Sequence, residues 1–183
     1  IKASTLTYIN KPQIPILHVG GYFDQEDLNG PQLMYNHLEK KDVSNNNFIC
    51  LGPWNHGGWE SKNADSLGEI KFGSNTSAWF QAFEKKWFDY WLKGQGEGKF
   101  AEANCFQTGS NTWKTYDSWP PKNGELKKLY AHDNHNASFT KPISNDGSIS
   151  YISDPTSPIP YRSLPIEATY GKGSRWNSWH VED

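Results

Sequence analysis

Two periods of apolar and polar positions alternate along the first half of the chain. Residues 14–21, IPILHVGG, are mostly apolar and close on Gly20-Gly21. Such a run suits a strand buried on both faces, as in a parallel sheet. From Asp27 to about Lys41 the pattern turns helical. Leu28, Met34 and Leu38 are among its apolar positions, Pro31 fits the first turn and Lys40-Lys41 the last. After the polar stretch DVSNNN, residues 48–54, FICLGPW, read as a second short buried strand ending at Gly52-Pro53. The order strand, acidic turn, helix, strand is a βαβ unit.

A Gly-rich loop follows and runs into Asn75-Thr76-Ser77, which is good N-cap chemistry. Segment 77–93 reads as a helix. Trp79, Phe83, Trp87 and Trp91 recur every four residues with Phe80 and Phe88 alongside, while Lys85, Lys86 and Asp89 take the other face. An aromatic stripe at this spacing points to core packing rather than to a ligand cage. The stretch KGQGEGK, 93–99, is the best sequence candidate for a domain boundary. Beyond residue 100, short β-prone runs alternate with Pro and Gly, from NCFQTG and TWKTYDSW to GSISYISD and PTSPIPY. That pattern predicts an antiparallel sandwich or jelly roll.

Composition narrows the functional classes. The 183 residues suffice for one compact domain or two small pieces. A net charge of −2 gives no electrostatic case for nucleic acid or an anionic membrane as partner. Nine Trp, nine Tyr and nine Phe argue for a folded chain with an aromatic core. Cys50 and Cys105 form neither a disulfide framework nor a zinc pattern, and both read as buried free thiols. No apolar run approaches the ~20 residues that span a bilayer. The first residues, IKASTLTYIN, are not a signal peptide and lack an initiator Met. The expectation is a piece of a longer protein, with an exposed apolar sheet edge at 14–19, that persists only through packing of the aromatic helix against the β-rich region or through association.

The acidic run Asp24-Gln25-Glu26-Asp27 falls just past the first strand, and His56 just past the second. In open α/β sheets, functional groups gather outside the carboxyl ends of the strands, so Asp24 and His56 are expected side by side. An Asp that accepts the Nδ1–H of a His fixes its tautomer and stabilises the imidazolium, freeing the other nitrogen as a general base. Asp before His is the end of a triad in the order Ser…Asp…His. The G-x-S-x-G elbow for the nucleophile is absent from the sequence. The other histidines are weaker candidates. His18 lies within a strand, His37 on the helix, and His132, His135 and His180 in later loops. None has H-x-x-x-H spacing, and no metal is expected.

GGYFDQED, then LGPWNHGGW, the aromatic helix, FQTGSNTWKTYDSWPP and SYISDPTSPIPY follow one another in a recognisable order. The whole resembles the α/β-hydrolases that include α-amino acid ester hydrolases, glutaryl-cephalosporin acylases, cocaine esterase and X-Pro dipeptidyl peptidases. The resemblance implies the C-terminal part of an α/β-hydrolase catalytic domain in residues 1–95. It implies the first part of a β-sandwich (jelly-roll) domain in residues 96–183. It assigns Asp24 as the triad acid, His56 as the base, and Glu26 and Asp27 as carboxylates that bind a substrate's α-ammonium group. The alternative from the residues alone is that Asp27 caps the following helix and Glu26 is solvated.

The resemblance implies a serine hydrolase without a cofactor, acting on small-molecule esters, amides or peptides. It implies a periplasmic or secreted home and leaves self-association open. The nucleophilic Ser would precede residue 1, so the chain by itself is expected to be inactive. A competing, non-enzymatic reading makes residues 100–183 a binding module, with Trp113, Trp119, Trp176 and Trp179 stacking on carbohydrate. That reading needs at least two coplanar, exposed rings.

Overall fold

Apolar runs and glycine stops become strands and tight turns in the computed structural model. It describes residue 6 and residues 8–24, 26–132, 135–143, 147–148 and 150–158. Strand β1 is Ile16–Gly21, helix α1 Gly30–Glu39 and strand β2 Asn47–Gly52. A short 3-10 turn at Gly58–Glu60 and the two-residue strands β3 (Ser66–Leu67) and β4 (Ile70–Lys71) lead to helix α2, Thr76–Lys93. Strands β5 (Ala103–Gln107) and β6 (Thr112–Tyr116) follow. The last described strands are the two-residue pair β7 (Tyr130–Ala131) and β8 (Ala137–Ser138).

The central sheet has the order β1-β2-β5-β6. β1 pairs in parallel with β2, β2 in parallel with β5, and β5 antiparallel with β6. Every residue of β2 is buried, as a central strand covered on both faces requires. Its alternate residues divide between two cores. Ile49 and Leu51 join Tyr35 of α1 with Ala103 and Cys105 of β5. Cys50 joins Phe80 of α2 and Trp54, while Phe48 meets Trp87 edge-on at 4.9 Å. The two helices therefore cover opposite faces of the sheet.

Helix α2 starts where its cap chemistry predicts. The Asn75 side chain accepts the Ala78 N–H, and the Asn75 amide donates to the Lys62 carbonyl. The aromatic stripe packs against the core, with Phe80 and Trp87 buried and Trp79 and Phe83 half-buried, while Trp91 at its end is 37% exposed. Trp79 stacks on Trp113 of β6 with ring centres 3.7 Å apart. Phe88 instead lies on the outer face, 47% exposed. Helix α1 begins three residues later than the sequence pattern places it, at Gly30, with Pro31 in its first turn.

The sheet does not stop at 93–99. Gly94 caps α2 in the left-handed conformation, its N–H donating to the Asp89 and Tyr90 carbonyls. Gly98, at φ +66°, sits where a Cβ would lie 2.2 Å from the Tyr90 ring. These glycines turn the chain closely around the end of α2, and β5 then adds to β2. Residues 103–116, which the sequence pattern assigns to a separate sandwich, complete the same sheet as β1 and β2. Past residue 117 the described residues hold the β7–β8 pair and no strand over 151–158. The remaining stretch of the expected jelly roll, including Trp176 and Trp179, lies outside the described residues. Among the described residues, no helix is long and apolar enough to cross a membrane.

Candidate active site

The loops after β1 and β2 are joined by main-chain bonds. The N–H of Tyr22 donates to the Gly52 carbonyl at 2.9 Å, and that of Phe23 to the Trp54 carbonyl at 3.0 Å. This approach requires glycine at position 21, where a Cβ would stand 2.2 Å from the Trp54 carbonyl oxygen. Trp54 fixes the other side of the seam. It is 1% exposed, and its indole N–H donates to Thr76 Oγ1 at 2.9 Å. Thr76 in turn donates to the Ala64 carbonyl at 2.7 Å. Burying an aromatic ring while satisfying its one donor makes it a firm anchor.

Asp24 follows this seam directly. It is 2% exposed, and its Oδ1 accepts the N–H groups of Glu26 and Asp27, each at 2.9 Å. Those bonds orient the carboxylate towards the second loop. His56 Nδ1 lies 3.1 Å from Asp24 Oδ2 and 3.2 Å from Oδ1. A carboxylate offers only acceptors, so Nδ1 carries the proton and donates. Asp24 raises the His56 pKa above its ordinary 6.5 by accepting this hydrogen bond and by its negative charge, with smaller contributions from Glu26 and Asp27. The imidazole is 44% exposed.

The structure thus brings together Asp24 and His56, the two residues the sequence pairs from positions after consecutive strands. Asp27 joins them, with Oδ2 3.7 Å from His56 Nδ1 and a side chain 66% exposed. It does not cap α1, whose N-cap position is Asn29. Glu26 is exposed beside it, and Gln25 lies outside the described residues. Asp24, Asp27 and His56 form a group with ligand atoms within 4.8 Å of one another. However, Nδ1 and the Asp24 carboxylate are engaged with each other, and Asp24 Oδ1 also holds two main-chain donors. These donors serve proton transfer better than metal ligation.

The remaining candidates have other partners. His18 Nε2 pairs with Asn47 Oδ1 at 2.9 Å, and burial lowers its pKa. His37 Nε2 faces the Ile9 carbonyl, and His132 Nε2 faces Ser138 Oγ. Both cysteines are buried free thiols. Burial pushes Cys105 up to about 12 and raises Cys50 as well, so neither is a ready thiolate nucleophile. Trp113 is no sugar platform, because Trp79 covers its face and Trp54 packs 5.7 Å away. Trp119 packs on Tyr116. Sequence reasoning missed Gly21, Trp54 and Thr76 as the scaffold of the site. The GPW triplet and the N-T-S cap held that signal.

A mixed sheet with helices on both faces, and an Asp–His pair outside the carboxyl ends of two parallel strands, define an α/β-hydrolase-like region. No family model matches the chain. A solved aminopeptidase from a marine sediment thaumarchaeote is 35% identical, with a TM-score of 0.80 over 91% of this chain and 27% of its own. A solved α-amino acid ester hydrolase is 26% identical, with a TM-score of 0.78 over 92% of this chain and 28% of its own. Two proteins with the provisional name serine esterase, from Mycobacterium bovis and Mycobacterium tuberculosis, are each 27% identical over 133 residues. The chain spans 18% of the length of those two curated relatives. These similarities place the chain with the α/β-hydrolases of the family that includes the α-amino acid ester hydrolases.

Proposed function

We propose that this chain carries the acid and base of a serine hydrolase that acts through an acyl-enzyme. The carrying observation is the buried Asp24 carboxylate on His56 Nδ1 at 3.1 Å. With Nδ1 held protonated, Nε2 is the nitrogen left to act. It takes the proton of a serine hydroxyl as the serine oxygen bonds to the substrate carbonyl. The imidazolium then protonates the departing alcohol or amine as that bond breaks. Water repeats the sequence on the acyl-enzyme, releasing the acid and restoring the serine. The serine comes from outside these 183 residues, since the sequence holds no G-x-S-x-G elbow.

The substrate class follows from charge. Glu26 and Asp27 are exposed carboxylates beside the His56 ring. They favour a cationic α-ammonium group on the acyl part and repel an anionic acyl group such as glutaryl. Esters or amides of small α-amino acids fit this field, and so does a peptide with a free amino terminus. The names of the two solved neighbours, an aminopeptidase and an α-amino acid ester hydrolase, are consistent with that choice. An X-Pro dipeptidyl peptidase would meet the same field with the same amine.

The test is kinetic, in the full-length protein that contains the nucleophile. Asp24→Asn and His56→Ala should each lower turnover of a glycine p-nitrophenyl ester by about 10³-fold or more. Near wild-type turnover in either variant would overturn the assignment. The 183-residue chain alone should turn over no ester, and serine-dependent turnover by it would count equally against the reading.

A further inference from the structure

The acid–base reading leaves Asp27 with more than one task. Its Oδ2 lies 3.7 Å from His56 Nδ1, the same nitrogen that Asp24 holds. We propose that Asp27 is a second positioning carboxylate for His56, sharing the Nδ1 edge of the imidazole with Asp24.

Three features carry this inference, which rests on His56 being the base. First, the Asp24 contacts at 3.1 and 3.2 Å are longer than the 2.7–2.9 Å typical of a charge-assisted N–H···O bond. Nδ1 faces both oxygens of Asp24 at nearly equal distance, and the Asp27 oxygen is a third acceptor on the same edge. Second, the backbone sets the place of Asp27. Its own N–H donates to Asp24 Oδ1 at 2.9 Å, so the turn that orients Asp24 also presents the Asp27 side chain to the ring. Third, the two carboxylates differ in setting. The Asp24 side chain is 1% exposed and held by the main chain, whereas that of Asp27 is 66% exposed. Asp24 provides a fixed short-range partner and Asp27 a softer, solvent-screened attraction. The charged groups that act on His56 are Asp24, Glu26 and Asp27, all acidic. When the ring takes up a proton, Asp27 opposes its swing out of the site towards solvent. Asp27 thus acts on the base as well as on an incoming ammonium group.

The experiment is an NMR titration of His56 in the full-length protein that contains this chain, as wild type, Asp27→Asn, Asp27→Glu and Asp24→Asn. The proposal expects the His56 midpoint to fall in Asp27→Asn at low salt and to return in Asp27→Glu. It expects about 1 M salt, where screening is over ~3 Å, to remove most of the wild-type excess. An unchanged midpoint in Asp27→Asn overturns it. A readout without mutation guards against a misfolded variant: the Asp27 side-chain carboxyl resonance should step as His56 titrates, and a flat response across that range overturns the proposal. Failure of the underlying reading is separable. If Asp24→Asn leaves the His56 midpoint in place while Asp27→Asn lowers it, the triad role of Asp24 falls and the Asp27 contact stands.

Discussion

Each end of the β1–β2 pair carries a histidine, and the two are in opposite states. At the amino end, His18 Nε2 is tied to Asn47 Oδ1. The Asn47 amide donates to the Tyr35 carbonyl and the Glu39 carboxylate, while the Tyr35 hydroxyl donates to Glu102. That network closes on itself within the packing of α1 against the sheet. At the carboxyl end, His56 gives one nitrogen to a buried carboxylate and keeps a half-exposed ring. Burial lowers the pKa of His18, whereas the hydrogen bond to Asp24 raises that of His56. A half-buried histidine with satisfied polar neighbours is structure. One with a fixed proton and an open second nitrogen is equipped for chemistry.

The strongest way to break the carboxyl end is to remove its anchor. Trp54→Ala should cost about 3–5 kcal/mol in urea unfolding, the range for a buried aromatic, and the His56 resonance should lose the imprint of Asp24. Next, Gly21→Ala forces a Cβ against the Trp54 carbonyl and should cost about 2–3 kcal/mol, the upper part of the overpacking range. A neutral result would mean that the seam is looser than its hydrogen bonds imply. At the other end, Asn47→Ala strips partners from His18 and Glu39 and should cost about 1–2 kcal/mol. It should leave the His56 titration unchanged, which separates the two ends.

The smallest effect is the pH dependence, and the two histidines carry opposite signs. Because folding raises the His56 pKa, its stabilisation is fully present below 6.5 and is lost as pH rises through the higher folded value. The excess melting temperature of wild type over Asp24→Asn should therefore shrink from pH ~6 towards pH ~9. Because folding lowers the His18 pKa, the unfolded chain binds protons first and stability falls as pH drops below 6.5. His18→Asn should flatten that acid limb. A parallel pH response in the two variants would abolish the distinction drawn above.

The βαβ unit and the pairing of Asp24 with His56 were legible because their determinants are local. Apolar runs that stop at Gly20-Gly21 and Gly52-Pro53 announce strands, buried throughout in β2 but only half-buried over Ile16–Val19 of the edge strand β1, and the parallel register then fixes which edge the next residues occupy. The boundary at 93–99 misled because glycines do two different jobs. Flexible linkers use them for freedom, whereas here Gly94 and Gly98 adopt positive φ at a helix end and beside a ring. That distinction depends on Tyr90, whose position the local sequence does not report. The start of α1 was placed early because Asp27 has the chemistry of a cap, yet it faces His56 instead. The hydrophobic contact of Phe72 with Phe106, across 34 residues, likewise has no local signature.

The seam between Tyr22–Phe23 and Gly52–Trp54 is made of peptide groups, which are indifferent to most side-chain changes. An exposed position such as Glu60 can therefore change without displacing Asp24 from His56. The spacing of Asp24 and His56 is thus a property of the main chain, which most surface substitutions leave in place.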